Sequence, residues 1–340
     1  MRALPAIPAM NAPAPDRATQ FEAVRQSGVV CRPAHQGLIR VAGEDAGSFL
    51  HTQLTNAVDD LDTGAARLAG YCSPKGRLLA SFLMWRDEEG IVLQLSADLQ
   101  PAIQKRLSMF VLRAKAKLSD LTPARAVLGV AGASGAAALQ AAGLPAPAAP
   151  WASAAAASAT VIRLPDGAGL PRWQVVLPAE QADEVQAALS AQLVPVDAAV
   201  WDWLEVQAGV PRIAAATQEQ FVPQMINLEL VGGVSFRKGC YPGQEIVARS
   251  QYRGTLKRRM WLIHGEGEVP GAATEIFRPE DPEQPCGMVV NAAAAPQGGW
   301  DGLAELKIDA AGGALHLGSA AGSAVRVGEL PYAVPFGDAA

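Results

Sequence analysis

The 340-residue sequence predicts an α+β protein that ends in a separate all-β module. Three observations carry that expectation. Segments of strand and helix period alternate between residues 37 and 208, the character changes at Lys257 to short strands parted by Gly and Pro, and ~100–200 residues per domain gives two or three domains. Half of the residues are apolar and 18% are charged, enough to bury a core. No apolar run approaches the ~18 residues of a membrane span.

Met1 to Thr19 alternates Ala with Pro, and Pro5, Pro8, Pro13 and Pro15 interrupt the apolar stretch that an export signal would need. It reads as a disordered leader, and the cytoplasm is the expected location. Leu38–Val41 is a strand, and Glu44 and Asp45 then open a helix towards Leu54, since acidic residues suit a helix start. Arg67–Cys72 turns through Ser73-Pro74-Lys75-Gly76 into Arg77–Arg86, and Asp87-Glu88-Glu89-Gly90 closes a hairpin with Ile91–Ser96. Asp98 is expected to cap an amphipathic helix with Ile103, Leu107, Phe110 and Val111 at helical spacing.

Strands at Lys117–Leu121 and Arg125–Val130, a helix over Ala136–Ala142, strands at Thr160–Leu164 and Arg172–Leu177, and a helix over Ala179–Gln192 give a sandwich order. The Ala-rich Leu144–Ala159 reads as a loop or linker. The helix Ala198–Ala208 carries Val200, Trp203, Leu204 and Gln207, with Trp201 on another face, and Gly209 and Pro211 stop it. Beyond Lys257, strands at Arg259–His264, Glu275–Arg278, Gly287–Val290, Gly302–Ile308 and Ala324–Val327 predict a small barrel or sandwich.

Twenty-eight basic and 33 acidic residues give a net charge of −5. That argues against a generic nucleic-acid binder, whose pI usually exceeds about 9. The average hides Phe221–Arg259: between residues 237 and 259 stand seven basic residues and one acid. Cys240 follows Lys238 there and precedes a Pro-Gly turn and a helix from Gln244, surroundings that favour a thiolate. A buried small hydrophobe is the competing reading. Cys31, Cys72 and Cys286 lack such neighbours and are expected to be packing residues. With no C-x-x-C and no H-E-x-x-H, neither a zinc site nor a disulfide framework is expected.

The run Lys238-Gly239-Cys240-Tyr241-Pro242-Gly243-Gln244-Glu245 resembles the K-G-C-Y-x-G-Q-E signature of YgfZ-type folate-binding proteins, relatives in fold of the glycine-cleavage T-protein, an aminomethyltransferase. Gly43-Glu44-Asp45, Leu54-Thr55-Asn56, Ala208-Gly209-Val210-Pro211 and Phe221-Val222-Pro223-Gln224 extend the similarity over residues 35–335. The resemblance implies a three-part ring around a central channel for tetrahydrofolate. Its parts would be a discontinuous folate-binding core (20–90 and 196–256), a ferredoxin-like α+β sandwich (91–195) and a C-terminal β-barrel (257–335). It also implies an accessory role towards iron–sulfur enzymes or their assembly factors, including enzymes that modify tRNA.

The sequence departs from the T-protein pattern at two places. The stretch that carries T-protein aspartates reads Gly76-Arg77-Leu78-Leu79-Ala80-Ser81, which lacks an acid for folate-dependent aminomethyl transfer. The glutamate expected at the pterin edge is Gln207, and Glu205 stands about 200° away around the helix.

For folate, Trp201 is the expected stacking residue, with core packing as the alternative. Gln207 and Asn227 are expected at the pterin edge, Asn227 also suiting a turn. Lys238, Arg249 and Arg253 are expected on the glutamyl tail, with Gln244 beside them, while Glu245 caps its helix. Cys240 is expected to be a reactive thiol that handles a persulfide, a transient cluster ligand or a one-carbon adduct. It cannot hold a cluster alone, which takes about four thiolates. Two further readings are a folate-dependent transferase and an RNA module that uses the 237–259 stretch, with Tyr241 and Tyr252 stacking on bases.

Overall fold

The computed structural model describes residues 16–252 and 256–335. Three β-sheets organise them. The first has the order β3-β4-β5-β2-β6, with β2 Gln36–Ala42, β3 Ala66–Cys72, β4 Leu78–Asp87, β5 Gly90–Ser96 and β6 Lys117–Asp120. All its pairings are antiparallel. In β4 the run Leu78–Trp85 is buried at every position, as befits a central strand covered on both faces.

The second sheet has the order β11-β1-β7-β10-β9-β8. Its strands are β1 Val29–Cys31, β7 Arg125–Ala131, β8 Ser153–Ala156, β9 Ala159–Gly167, β10 Leu170–Pro178 and β11 Val194–Pro195. The third is a closed barrel, β12-β15-β14-β13-β16-β17, which leaves no free sheet edge. It comprises β12 Arg258–Gly265, β13 Glu275–Phe277, β14 Gly287–Ala294, β15 Trp300–Lys307, β16 Leu315–Leu317 and β17 Ala324–Gly328.

The helices are α1 Arg17–Gln26, α2 Ala46–Gln53, α3 Gln100–Met109, α4 Gly135–Ala141, α5 Ala182–Ser190, α6 Ala198–Gln207 and α7 Gln244–Tyr252. Among the described residues none is long and apolar enough to cross a membrane. The helix α6 is the axle of the molecule. Val200, Trp201, Trp203, Leu204 and Val206 are buried, and it packs on β9 on one side and on β14 and β15 of the barrel on the other. Gln20 of α1 anchors its start, giving its amide to Asp197 Oδ2 at 2.8 Å and taking the Asp197 N–H at 2.8 Å.

Several sequence expectations need correction. The leader does not reach Thr19: Asp16 caps α1 by accepting from the Thr19 N–H at 3.0 Å, and residues 1–15 lie outside the described set. The division at residues 90 and 91 cuts a sheet, because β5 pairs with β4 and β2, and β6 also joins that sheet. The strand β1 goes the other way and pairs with β7 and β11. Asp98 does not cap α3; its carboxylate accepts the Ala215 N–H at 2.9 Å. The Ala-rich loop contains β8, an edge strand on β9. The barrel also has β16, a three-residue strand that the sequence reading did not include.

Candidate functional site: a cleft between the sheets

A cleft with about 600 Å³ of atom-free space, mouth included, opens where the first two sheets meet the chain that leaves α6. Ser81, Phe82 and Leu83 of β4 and Gln94 of β5 line it from one side, Arg172 and Gln174 of β10 from the other. Glu205, Val210, Pro211 and Arg212 close the end, and Trp151 and Pro165 stand at the wall.

Its electrostatics centre on Glu205. The carboxylate accepts the Trp201 indole N–H at 3.1 Å and faces His35 Nε2 at 3.6 Å and Arg212 Nε at 3.7 Å. Burial alone would push this carboxyl up, but His35, Arg212 and Arg172 outweigh it and hold it at about 2. Asp202 faces His35 Nδ1 at 3.4 Å, and burial raises its carboxyl. His35, Asp202 and Glu205 bring ligand atoms within 4.8 Å of one another, but Arg212 and Arg172 beside Glu205 oppose a cation.

Arg172 is only 2% exposed. Its Nε donates to Pro165 O at 3.0 Å, and its guanidinium lies 5.1 Å over the Trp201 ring. Nη1 is buried with no hydrogen-bond partner, and burial pulls the group down to about 10. An unmet buried donor costs ~1–3 kcal/mol. Amides continue the polar wall: Gln94 donates to Gln36 at 2.8 Å and to Gln174 at 3.0 Å. Ser81 Oγ accepts the Ile213 N–H at 2.9 Å, and Ala80 is fully buried, so the T-protein acid positions hold no carboxylate here.

The expected folate residues fall elsewhere. Trp201 is 1% exposed and does not line the cleft. Its ring packs on β7 so closely that a Cβ on Gly129 would stand 2.4 Å away, and its indole positions Glu205. Gln207 faces the barrel and donates to Asp301 at 2.8 Å, beside Trp203, which donates to the same oxygen at 2.7 Å. Glu205, on the other side of α6, is the residue that meets the cleft. Glu205 and Gln207 thus stand on different sides of α6, as the helix geometry predicts, with only Glu205 on the cleft. Asn227 is fully buried with φ 56°, donates to Met260 O at 2.9 Å and accepts the Met260 N–H at 3.3 Å, which ties it to β12.

The cysteine motif docks on the turn between β3 and β4. Gly243, at φ 79°, lets Pro242-Gly243 touch that turn; a Cβ would sit 2.4 Å from Ser73 O and 2.6 Å from Gly76 Cα. Lys238 donates to His51 O and, at 2.8 Å, to Leu54 O, the last carbonyls of α2, and lies 4.7 Å over the Tyr241 ring. Burial pulls its amine down to about 8, against Asp59 and Cys240, which raise it. Cys240 is exposed, whereas Cys31, Cys72 and Cys286 are buried. Burial pushes the Cys72 thiol up to about 12.

Among the described residues of the 237–259 stretch, three of the cations are paired with acids, while Arg237 and Lys257 are exposed. Arg259 is buried against Glu229, and Arg258 binds both oxygens of Glu305 at 2.8 and 2.9 Å. Arg249 pairs with the exposed Glu245 one turn away at 3.0 Å. Gln244 opens α7, half-buried, and Arg253 lies outside the described residues. Tyr241 is buried and unable to stack on a base, while Tyr252 is exposed and meets Phe236 edge-on at 5.9 Å.

Three cleft residues were not among those expected to bind: Arg172 and Trp151 went unnoticed in the sequence, and Glu205 was weighed only as pointing away from the expected site. Arg172 sits inside a strand pattern, Glu205 inside a helix, and Trp151 inside the Ala-rich segment. Trp151 is an aromatic isolated among Ala and Pro, which is the one signal that pointed to it.

The profile of the GCVT N-terminal domain matches residues 13–164. The glycine cleavage system aminomethyltransferase T of Bartonella henselae superposes with a TM-score of 0.69 at 19% identity, over 93% of this chain and 89% of that one. The chain thus has the T-protein fold. The tRNA-modifying protein YgfZ of Edwardsiella ictaluri (strain 93-146) is 33% identical over 300 residues, which is 86% of this chain and 89% of that protein. The protein of the same name from Vibrio vulnificus (strain YJ016) is 33% identical over 243 residues, 71% of each chain. With a shared fold and that extent of identity, the chain belongs to the YgfZ family.

Proposed function

We propose that the protein is a cytoplasmic tetrahydrofolate-binding accessory factor whose cleft holds the pterin and whose Cys240 serves iron–sulfur enzymes, among them enzymes that modify tRNA. The buried, unpartnered Nη1 of Arg172 in the cleft wall, opposite an anionic Glu205, carries the folate half of this reading. A pterin edge alternates N–H donors with a carbonyl acceptor. Glu205 supplies the acceptor, and Arg172 the donor that the fold leaves unmet. Gln94, Gln174 and Gln36 add neutral donors and acceptors, and Phe82, Leu83 and Trp151 supply apolar wall.

The second half rests on two supports: the exposure of Cys240 beside Lys238, and the printed name of the relatives, tRNA-modifying protein. A single thiol suits transient transfer or ligation and not stable cluster storage. Aminomethyl transfer lacks support, since Ala80 and Ser81 stand at the acid positions and the Ser81 hydroxyl already holds the Ile213 N–H.

Calorimetric titration with 5-formyltetrahydrofolate tests the cleft. Arg172→Met and Glu205→Gln are each expected to weaken binding ~10–100-fold, the loss of one charge-assisted hydrogen bond in a buried site. Wild-type affinity in both variants rejects the cleft as the folate site. Alkylation of the native protein is expected to label Cys240 and to leave the three buried thiols unmodified until it unfolds.

A further inference from the structure

Trp151 has φ 67°, a backbone conformation that a bulky side chain adopts only at a conformational cost glycine would avoid. Two hydrogen bonds impose it. The Trp151 N–H donates to Arg163 O at 2.7 Å on β9, and the Ala66 N–H of β3 donates to Trp151 O at 2.7 Å. Trp151 therefore sits on the seam between the first two sheets. It lines the Arg172–Glu205 cleft and also a second cleft, formed with Pro150, Asp166, Val231, Pro331 and Tyr332. Pro165 and Val210 are shared by both clefts as well. Asp166 is the one charged residue among those lining the second cleft, and Arg163 pairs with it.

We propose that the two clefts form one groove and that Trp151 is its stacking wall: the polar pterin head lies with Arg172 and Glu205, and the uncharged p-aminobenzoyl ring that follows lies against the Trp151 indole. This inference rests on the folate reading above. The strained backbone has a use on this account, because it holds a flat aromatic surface at the junction where the ligand passes from the charged cleft to the apolar one. The apolar lining of the second cleft matches a neutral ring and offers no cation to a glutamyl tail.

Trp151→Gly removes the indole and relieves the φ strain but gives up half-buried apolar contact, so the variant is expected to fold with a lowered melting temperature, and Trp151→Phe, which keeps an aromatic ring, serves as the control for stability. By calorimetry its affinity for 5-formyltetrahydrofolate is expected to fall ~10–100-fold, the usual worth of aromatic stacking on a flat ring. Its affinity for the head fragment 6-hydroxymethylpterin should stay within about twofold, and Trp151→Phe should retain folate binding within about threefold. Unchanged folate affinity in Trp151→Gly, while the wild type binds both ligands, overturns the stacking role and leaves the folate cleft standing. Equal losses for folate and fragment overturn the assignment of Trp151 to the middle ring. A wild type that binds neither ligand overturns the folate reading and this inference together.

Discussion

Arg259 and Arg172 are 3% and 2% exposed and each keeps one buried nitrogen without a partner, yet among the described residues only Arg259 has a carboxylate in direct contact. Arg259 lies in the stretch that looks most like a binding site in the sequence, and its charge is paired within the protein: Glu229 pairs with it, and its Nη1 donates to Gln224 O at 3.1 Å, leaving only Nε buried without a partner. Arg172 lies in an ordinary strand and keeps a buried donor unmet beside an anionic glutamate. The first arrangement joins the motif segment to the barrel. The second leaves interaction capacity for something that is not protein. Charge density along a chain therefore says little about availability, which depends on which partners the fold brings to each group.

The largest effect should come from breaking the engaged cation. Arg259→Met leaves Glu229 buried without its partner and is expected to cost ~3–5 kcal/mol in urea unfolding. If the stretch were a ligand site instead, this variant would keep its stability and lose folate affinity. Next in size is Glu205→Gln, expected to cost ~2–3 kcal/mol at neutral pH because Arg172 and Arg212 lose their counter-charge.

The Glu205 carboxyl lies at about 2 in the folded protein, below its ordinary 4.5. The unfolded chain therefore binds more protons between those values, and the Glu205 contribution is whole above pH 4.5 and disappears as pH falls towards 2. The difference in stability between wild type and Glu205→Gln should shrink across that window; a difference independent of pH contradicts the assignment.

Gly243→Ala tests the docking of the motif on the β3–β4 turn. Its φ of 79° and the carbonyl 2.4 Å from the added methyl predict destabilisation, by ~1–3 kcal/mol from backbone strain of this kind. Arg249→Ala should do least. It removes an exposed pair within α7 and is expected to change stability by no more than about 0.5 kcal/mol, with folate affinity unchanged. A clear loss of folate affinity would return Arg249 to the ligand tail.

Regular patterns made most of the fold legible. Helical spacing marked α6, Gly and Pro punctuation marked the barrel, and the K-G-C-Y-x-G-Q-E run pointed to the family before any coordinates. Four strands escaped because they are edge or two- to three-residue pieces: β1 Val29–Cys31, β8 in alanine, β11 Val194–Pro195 and β16 Leu315–Leu317. The sheet division at residue 90 failed because a hairpin says which strands are adjacent in sequence, not which sheet completes them. The site was less legible than the fold. Family likeness pointed to Gln207 and helix-face geometry to Trp201, but the barrel takes Gln207 and the Trp201 ring packs on Gly129 of β7. Glu205 was set aside for pointing the other way, and that is the direction of the cleft. Trp151 depends on a seam between two sheets that no local pattern encodes.

The central claim is that ligand capacity lies in the Arg172–Glu205 cleft and not along the motif. A crystal structure of the wild-type protein soaked with 5-formyltetrahydrofolate tests it most directly. The account predicts pterin density between Glu205 and Arg172, with Arg172 Nη1 within hydrogen-bond distance of the ligand. Density at Lys238, Cys240 and Arg249, with the cleft unoccupied, would contradict it.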